Sequence, residues 1–226
     1  MSGAPAVPRG TVRVVTTAAA GLAVTYPVLG IIALAFLIPL GQTSSAGPGA
    51  LDALVEHGAS WWLTARWIFL LTSLLGLGLV VGLRRLAPPG RAALADWAAA
   101  VGGLGFAVVA LDQARLIAHV PGLVQAFAAS PDRAREISNL SFVNLTDRYG
   151  LLTFGAVGLW LLVVSLGCLP GSAPTWLRAA GALTAAVCLV VAAFEGSWTS
   201  VVACIGTLTL APLFFGGLAA LTRRWS

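Results

Sequence analysis

The sequence predicts an all-α, polytopic membrane helical bundle of six transmembrane helices, with both termini in the cytoplasm. Three observations carry this expectation. Hydrophobic residues make up 58% of the 226 residues and charged residues only 9%, against roughly 25% charged in an average soluble domain. So few charges cannot coat a globule of this size, and most of the surface must face lipid. Six apolar runs follow one another, each long enough to cross a hydrocarbon core of about 30 Å at about 1.5 Å per residue. The charges between the runs then sort by side.

Residues 1–13 form a short Pro/Gly/Ala tail with Arg9 and Arg13. The first span is expected over 14–40, a run too long for the ~7–15-residue apolar core of a signal peptide. Pro27 lies mid-span and removes a backbone hydrogen bond, which predicts a kink. The connection over 41–60 is polar, with Asp52, Glu56 and His57, and residues 51–57 predict a short surface helix. The second span is expected over 61–83. Trp61 and Trp62 fit an interfacial aromatic belt, and Gly78 and Gly82 form a GxxxG that allows close helix contact. Arg84, Arg85, Pro88, Pro89, Gly90 and Arg91 form a tight basic turn.

The third span is expected over 92–120, with Gly102, Gly103 and Gly105 thinning its middle for close packing. Residues 121–146 form the longest polar connection. Within it Ser130, Pro131 and Asp132 match an N-cap, a first-turn proline and a first-turn acid, predicting a short helix to about 138. The fourth span is expected over 149–169, the fifth over 176–194 after a turn at 170–175, and the sixth over 198–221 with Pro212 as a second kink. The 14–222 segment is thus one transmembrane domain, and 223–226 a cytoplasmic end.

All thirteen basic residues are arginines, and with the Ala/Gly/Leu/Val bias this points to a bacterial, GC-rich coding sequence. Six spans put both termini on one side. That side carries eight arginines and one acid, Asp96, a net of +7. The other carries Arg66, Arg115, Arg133, Arg135 and Arg148 against seven acids, a net of −2. Basic residues favour the cytoplasm, so the side of the termini is expected to be cytoplasmic and the protein to sit in the bacterial cytoplasmic membrane. The arginines stand at helix ends, so topology explains the high pI and nucleic acid is not an expected partner.

The polar residues gather on the far side. The stretch LDQARLIAHV, residues 111–120, ends the expected third span. At 100° per residue Arg115 lies about 60° from Asp112, and His119 about 20° from it. Arg66 enters the second span about five residues past Trp61; Asp147 and Arg148 open the fourth; Glu195 ends the fifth. Arg66, Asp112, Arg115, His119, Asp147, Arg148 and Glu195 are therefore the candidate lining of an outer-leaflet polar pocket. Arg66 is expected to pair with Asp112, because a lone charge in hydrocarbon costs about 2.5–3.5 kcal/mol. The same residues also fit an interhelical salt-bridge cluster with Arg66 and Arg115 reaching to the headgroups.

Specific chemistries find little support. A bis-histidine haem would need His57 and His119, and His57 is in a loop. A histidine–carboxylate metal site would draw on His57, Glu56, Asp112 and His119. Cys168, Cys188 and Cys204 lie in apolar runs without a CxxC, as small buried residues do. Neither a cofactor nor a metal is expected. No GxSxG, Walker or Rossmann pattern exists, and no acid falls near the midplane, where proton-driven transporters place one.

The span order over residues 10–222, with Pro174-Thr175-Trp176-Leu177 followed by Gly181 at the entry of the fifth helix, resembles an uncharacterised bacterial family of six-span membrane proteins. Members of that family often carry an Arg and a Glu three apart in the third helix, where this chain has Asp112 before Arg115. The resemblance implies a fold and no activity. The function expected is that of a membrane protein that binds a small ligand or lipid at its outer face or serves as a partner subunit, with homo-oligomers left open. The alternatives are a membrane-embedded enzyme with His119 and Asp112 as acid and base, and a small-solute transporter.

Overall fold

The computed structural model describes residues 8–32, 34–35, 59–130, 132, 150–194 and 202–224. Among these every regular element is helical, and six helices are long and apolar enough to cross a membrane.

Helix α1, Arg9–Ile32, begins directly after Pro8, whose carbonyl accepts from the backbone N–H of Thr11 and Val12. It starts earlier than hydropathy alone predicts. Arg9 and Arg13 belong to the helix but point outward from it, as cations at a membrane boundary do. Helix α2, Ala59–Leu86, stops just ahead of Pro88 and Pro89. A single tight turn, Pro89–Arg91, leads into α3.

Helix α3, Ala92–Ala129, has 38 residues and is thus about 57 Å long, nearly twice the hydrocarbon thickness. The helix expected to end at Val120 continues for nine residues, and Pro121 lies inside it. Leu116 and Val120 before the proline, and Leu123 after it, pack with Trp62 in a small apolar cluster of their own. Packing on both sides of Pro121 offsets the one backbone hydrogen bond that its missing N–H removes. Ser130 closes α3 in an extended conformation. The expected surface helices over 51–57 and beyond Asp132 lie outside the described residues.

Helix α4, Leu151–Cys168, follows Gly150, whose φ of 69° is left-handed and suits a residue without Cβ. Its first and last turns are wound as π-helix. Arg178, on α5 (Thr175–Ala193), donates to the carbonyls of Leu169 and Pro170 at 3.2 and 2.7 Å, tying down the turn between the two helices. Helix α6, Val202–Arg223, carries a π turn at Gly206–Leu210 just ahead of Pro212. A proline leaves a carbonyl one turn back without its donor, and a wide turn is one way to re-pair the backbone. The disturbance expected at Pro212 takes that form.

Each helix packs on the next, and α6 returns to α1, so the six close a ring. The seam between α1 and α6 is held by the hydroxyls of Thr16 and Thr222, 2.8 Å apart, and by Tyr26 stacked on Phe215 at 5.4 Å. One core unites all six: Leu22 of α1, Leu79 of α2, Phe106 of α3, Trp160 of α4, Leu177 of α5 and Phe214 of α6. Phe106 meets Trp160 edge to face, with ring centres 5.7 Å apart.

Glycines let these backbones approach. Gly78 and Gly82 both face α1, at Ala18 and Val15, so the GxxxG is a helix contact. On α3, Gly102 lies against Trp160 and Gly105 against α4, whereas Gly103 opens onto empty space. The outward faces are apolar, with Leu111, Val24 and Ile31 all exposed. In water such a surface would drive association; against lipid it is the solvent-facing side.

Gly102 and Gly103 make a matched pair. A Cβ on Gly102 would lie 2.5 Å from the Trp160 ring and 2.9 Å from its Cβ, the root of a fully buried side chain. Gly102→Ala should therefore cost about 1–3 kcal/mol by overpacking. Gly103→Ala should be neutral or stabilising by up to about 1 kcal/mol through helix propensity. Thermal unfolding of both variants in one detergent decides it, and equal melting temperatures would contradict the packing described.

Candidate functional site

The site is set by the register of α2 against α3. Gly76 of α2 lies under the Phe106 ring of α3. Towards the termini, the Arg84 Nε meets the Asp96 carboxylate. In the opposite direction, the Arg66 Nη1 donates to the Gln113 Oε1 at 3.3 Å. These contacts follow one antiparallel register. The two outer ones are 18 positions apart along α2 and 17 along α3, about 26 Å of helix. That is slightly less than the hydrocarbon thickness. A hydrocarbon layer of that thickness centred on this stretch would have one arginine contact near each of its edges, Arg66 on the side away from the termini.

Trp62 and Arg66 share a face of α2 because four residues separate them. The Arg66 Cζ lies 4.3 Å from the centre of a Trp62 ring. Trp62 is buried beneath α3 rather than forming part of an outward aromatic belt. A cation over an indole gains about 2 kcal/mol when water is excluded. In the plane of the guanidinium, Gln113 takes Nη1 and passes the contact on: its Nε2 donates to the Asp112 Oδ2 at 3.3 Å. The Arg66 Nε is sealed inside the protein with no hydrogen-bond partner among the described residues, although Arg66 as a whole is only half-buried.

Gln113 thus stands between the two residues expected to pair. It is the buried polar residue of this part of α3 and was not singled out from the sequence. Asp112 and Arg115 are half-buried at its flank, and His119 is exposed. The shared arc of Asp112, Arg115 and His119 follows from helix geometry, but the row turned towards α2 is the next one round. A signal for it existed. Gly102, Phe106, Ala110, Gln113, Leu116, Val120 and Leu123 recur every three or four residues, and all are buried. A glutamine in that stripe is a core position filled by an amide.

Asp147, Arg148 and Glu195, together with Glu56 and His57, lie outside the described residues. Among the described residues no three His, Cys, Asp or Glu side chains come together to hold a metal. The chemistry available is therefore that of a guanidinium with one face on an indole, one amine on an amide and a buried Nε–H without a partner among the described residues. Such a group suits recognition of an acceptor-rich partner.

In comparisons with family models, curated proteins and solved structures, nothing matched this chain.

The relay predicts an order of sensitivity. Gln113→Leu leaves a partly buried guanidinium without this acceptor and should cost about 1.5–3 kcal/mol. His119→Ala, at an exposed position, should stay within about 0.5 kcal/mol. Melting temperatures of the two purified variants test this, and a His119 variant as damaged as the Gln113 variant would reverse the assignment of the buried row.

Proposed function

We propose that this chain is a non-enzymatic, multi-pass protein of the bacterial cytoplasmic membrane that holds a small molecule or lipid in an outer-leaflet pocket around Arg66. The reading rests on one observation: the Arg66 Nε–H is shut inside the bundle without a partner among the described residues. Leaving a buried donor unmade costs about 1–3 kcal/mol, more when it is charged. Structural arginines in lipid normally spend their donors on carboxylates or carbonyls, as Arg178 does here. An unspent one beside Gln113 and Asp112 is what a binding site looks like before its ligand arrives. The likeness of the Pro174-Thr175-Trp176-Leu177 turn to an uncharacterised six-span family fits this architecture and adds no activity.

The outer-leaflet placement uses the cytoplasmic termini that the arginine distribution supports. A phosphatase reporter fused after the last residue should be inactive, and the same reporter active only in the periplasm would invert the topology.

Native mass spectrometry of protein released from the membrane in mild detergent tests the pocket. Wild type should carry an adduct of defined mass that Arg66→Gln loses while circular dichroism stays helical. A bare wild-type protein, or the same adduct on both, would remove the support for a pocket at Arg66.

A further inference from the structure

The Arg66 pocket also carries information about the kind of ligand it takes. Three directions of approach to the guanidinium are settled by its neighbours. Trp62 covers one face of the plane at 4.3 Å. The Nη1 side is occupied by Gln113. The Nε side is unspent. A partner using this donor must arrive in the plane and must be an acceptor, because a guanidinium has five N–H donors and no acceptor. Its hydrogen-bond acceptor is the neutral Gln113 amide, and the Asp112 carboxylate, which accepts from that amide, acts on the cation electrostatically. Edge-on, in-plane, anionic recognition is what a carboxylate or phosphate offers to a guanidinium.

Depth points the same way. Arg66 lies about 26 Å of helix from the Arg84–Asp96 contact at the opposite boundary. That level is where the head of an amphiphile meets its tail. On the same turn Trp67 is exposed, turned away from the bundle, which marks the surface on which an acyl chain would lie beside the site. Arg66 as a residue is only partly buried, so a pivot of the side chain would present Nε to an entering oxygen.

Resting on the pocket reading above, we infer that the ligand is an oxyanion, a carboxylate or phosphate group held edge-on by the Arg66 Nε–H against Trp62. The group comes either from the head of an anionic lipid or from a free anion.

Thermal unfolding of the full chain in phosphatidylcholine nanodiscs separates the sources. One arm adds oleate or phosphatidylglycerol; the other adds inorganic phosphate or acetate. A ligand at about a hundredfold excess over Kd should raise the Tm of wild type by about 5 °C. Arg66→Gln should abolish the rise. Arg66→Lys keeps the cation but has no Nε–H edge, and should weaken binding at least about tenfold, so a folding failure of Arg66→Gln leaves the result readable. A rise with the lipids alone assigns a lipid head; a rise with phosphate or acetate assigns a free anion. No rise with any oxyanion, or an equal rise in wild type and Arg66→Lys, overturns the inference. An Arg66-dependent adduct that proves neutral or cationic overturns it too, but leaves the pocket standing. The absence of any Arg66-dependent ligand removes both.

Discussion

Lipid supplies neither hydrogen bonds nor counter-charge, and that constraint decides where each polar side chain of this bundle can stand. Several hydroxyls inside the apolar layer turn back on their own helices: Thr72 donates to the Ile68 carbonyl, Ser73 to Phe69 and Thr184 to Ala180, whereas those of Thr25 and Ser165 are buried with no partner among the described residues. Charged groups are pushed to the two boundaries. At one, Arg84 meets Asp96 in the open, where an ion pair contributes little to stability. At the other, Arg66 is drawn inward over Trp62 and onto Gln113. The same cation is thus handled in two ways at the two ends of one helix pair. The inward one has a buried donor without a partner among the described residues.

Backbone proximity links the fold to this site. Helix association in lipid gains little from burying apolar surface and depends on close packing. Gly76 beneath Phe106 brings α2 onto α3, and Gly102 beneath Trp160 brings α3 onto α4. The first of these crossings fixes the register that places Gln113 opposite Arg66. The ring is closed by Gly30 against Thr207 and Leu208, in the wide turn ahead of Pro212, and by the Thr16–Thr222 contact. A change at Gly76 would therefore disturb the Arg66 relay from about 15 Å away along α2.

Composition and run length made the all-helical class and the six membrane-length helices legible, because a chain with so few charges has no other way to be solvated. The turns were legible as well, through Pro88-Pro89 and through the Pro170–Pro174 segment. The end of α3 was not: Pro121 reads as a stop, whereas Leu123, Val124, Ala126 and Phe127 beyond it pack into the Trp62 cluster and the helix continues. Arg66, standing alone in an apolar run, was visible as a candidate. Its partner was obscured because attention falls on ionisable residues, and Asp112, Arg115 and His119 outshine a glutamine in the same decapeptide. Trp62 misled in the same way, since a tryptophan at a span entry suits an aromatic belt as well as a buried seat for a cation.

The central claim is that Arg66 keeps an unspent donor for a ligand from outside the chain. A high-resolution structure of the protein in lipid, inspected at the Arg66 Nε, tests it most directly. The account predicts non-protein density within about 2.7–3.2 Å of Nε, with the guanidinium still over Trp62 and its Nη1 still on Gln113. An Arg66 side chain turned out to the headgroups, or fully paired with a carboxylate of its own chain and with no further density beside it, would contradict the account.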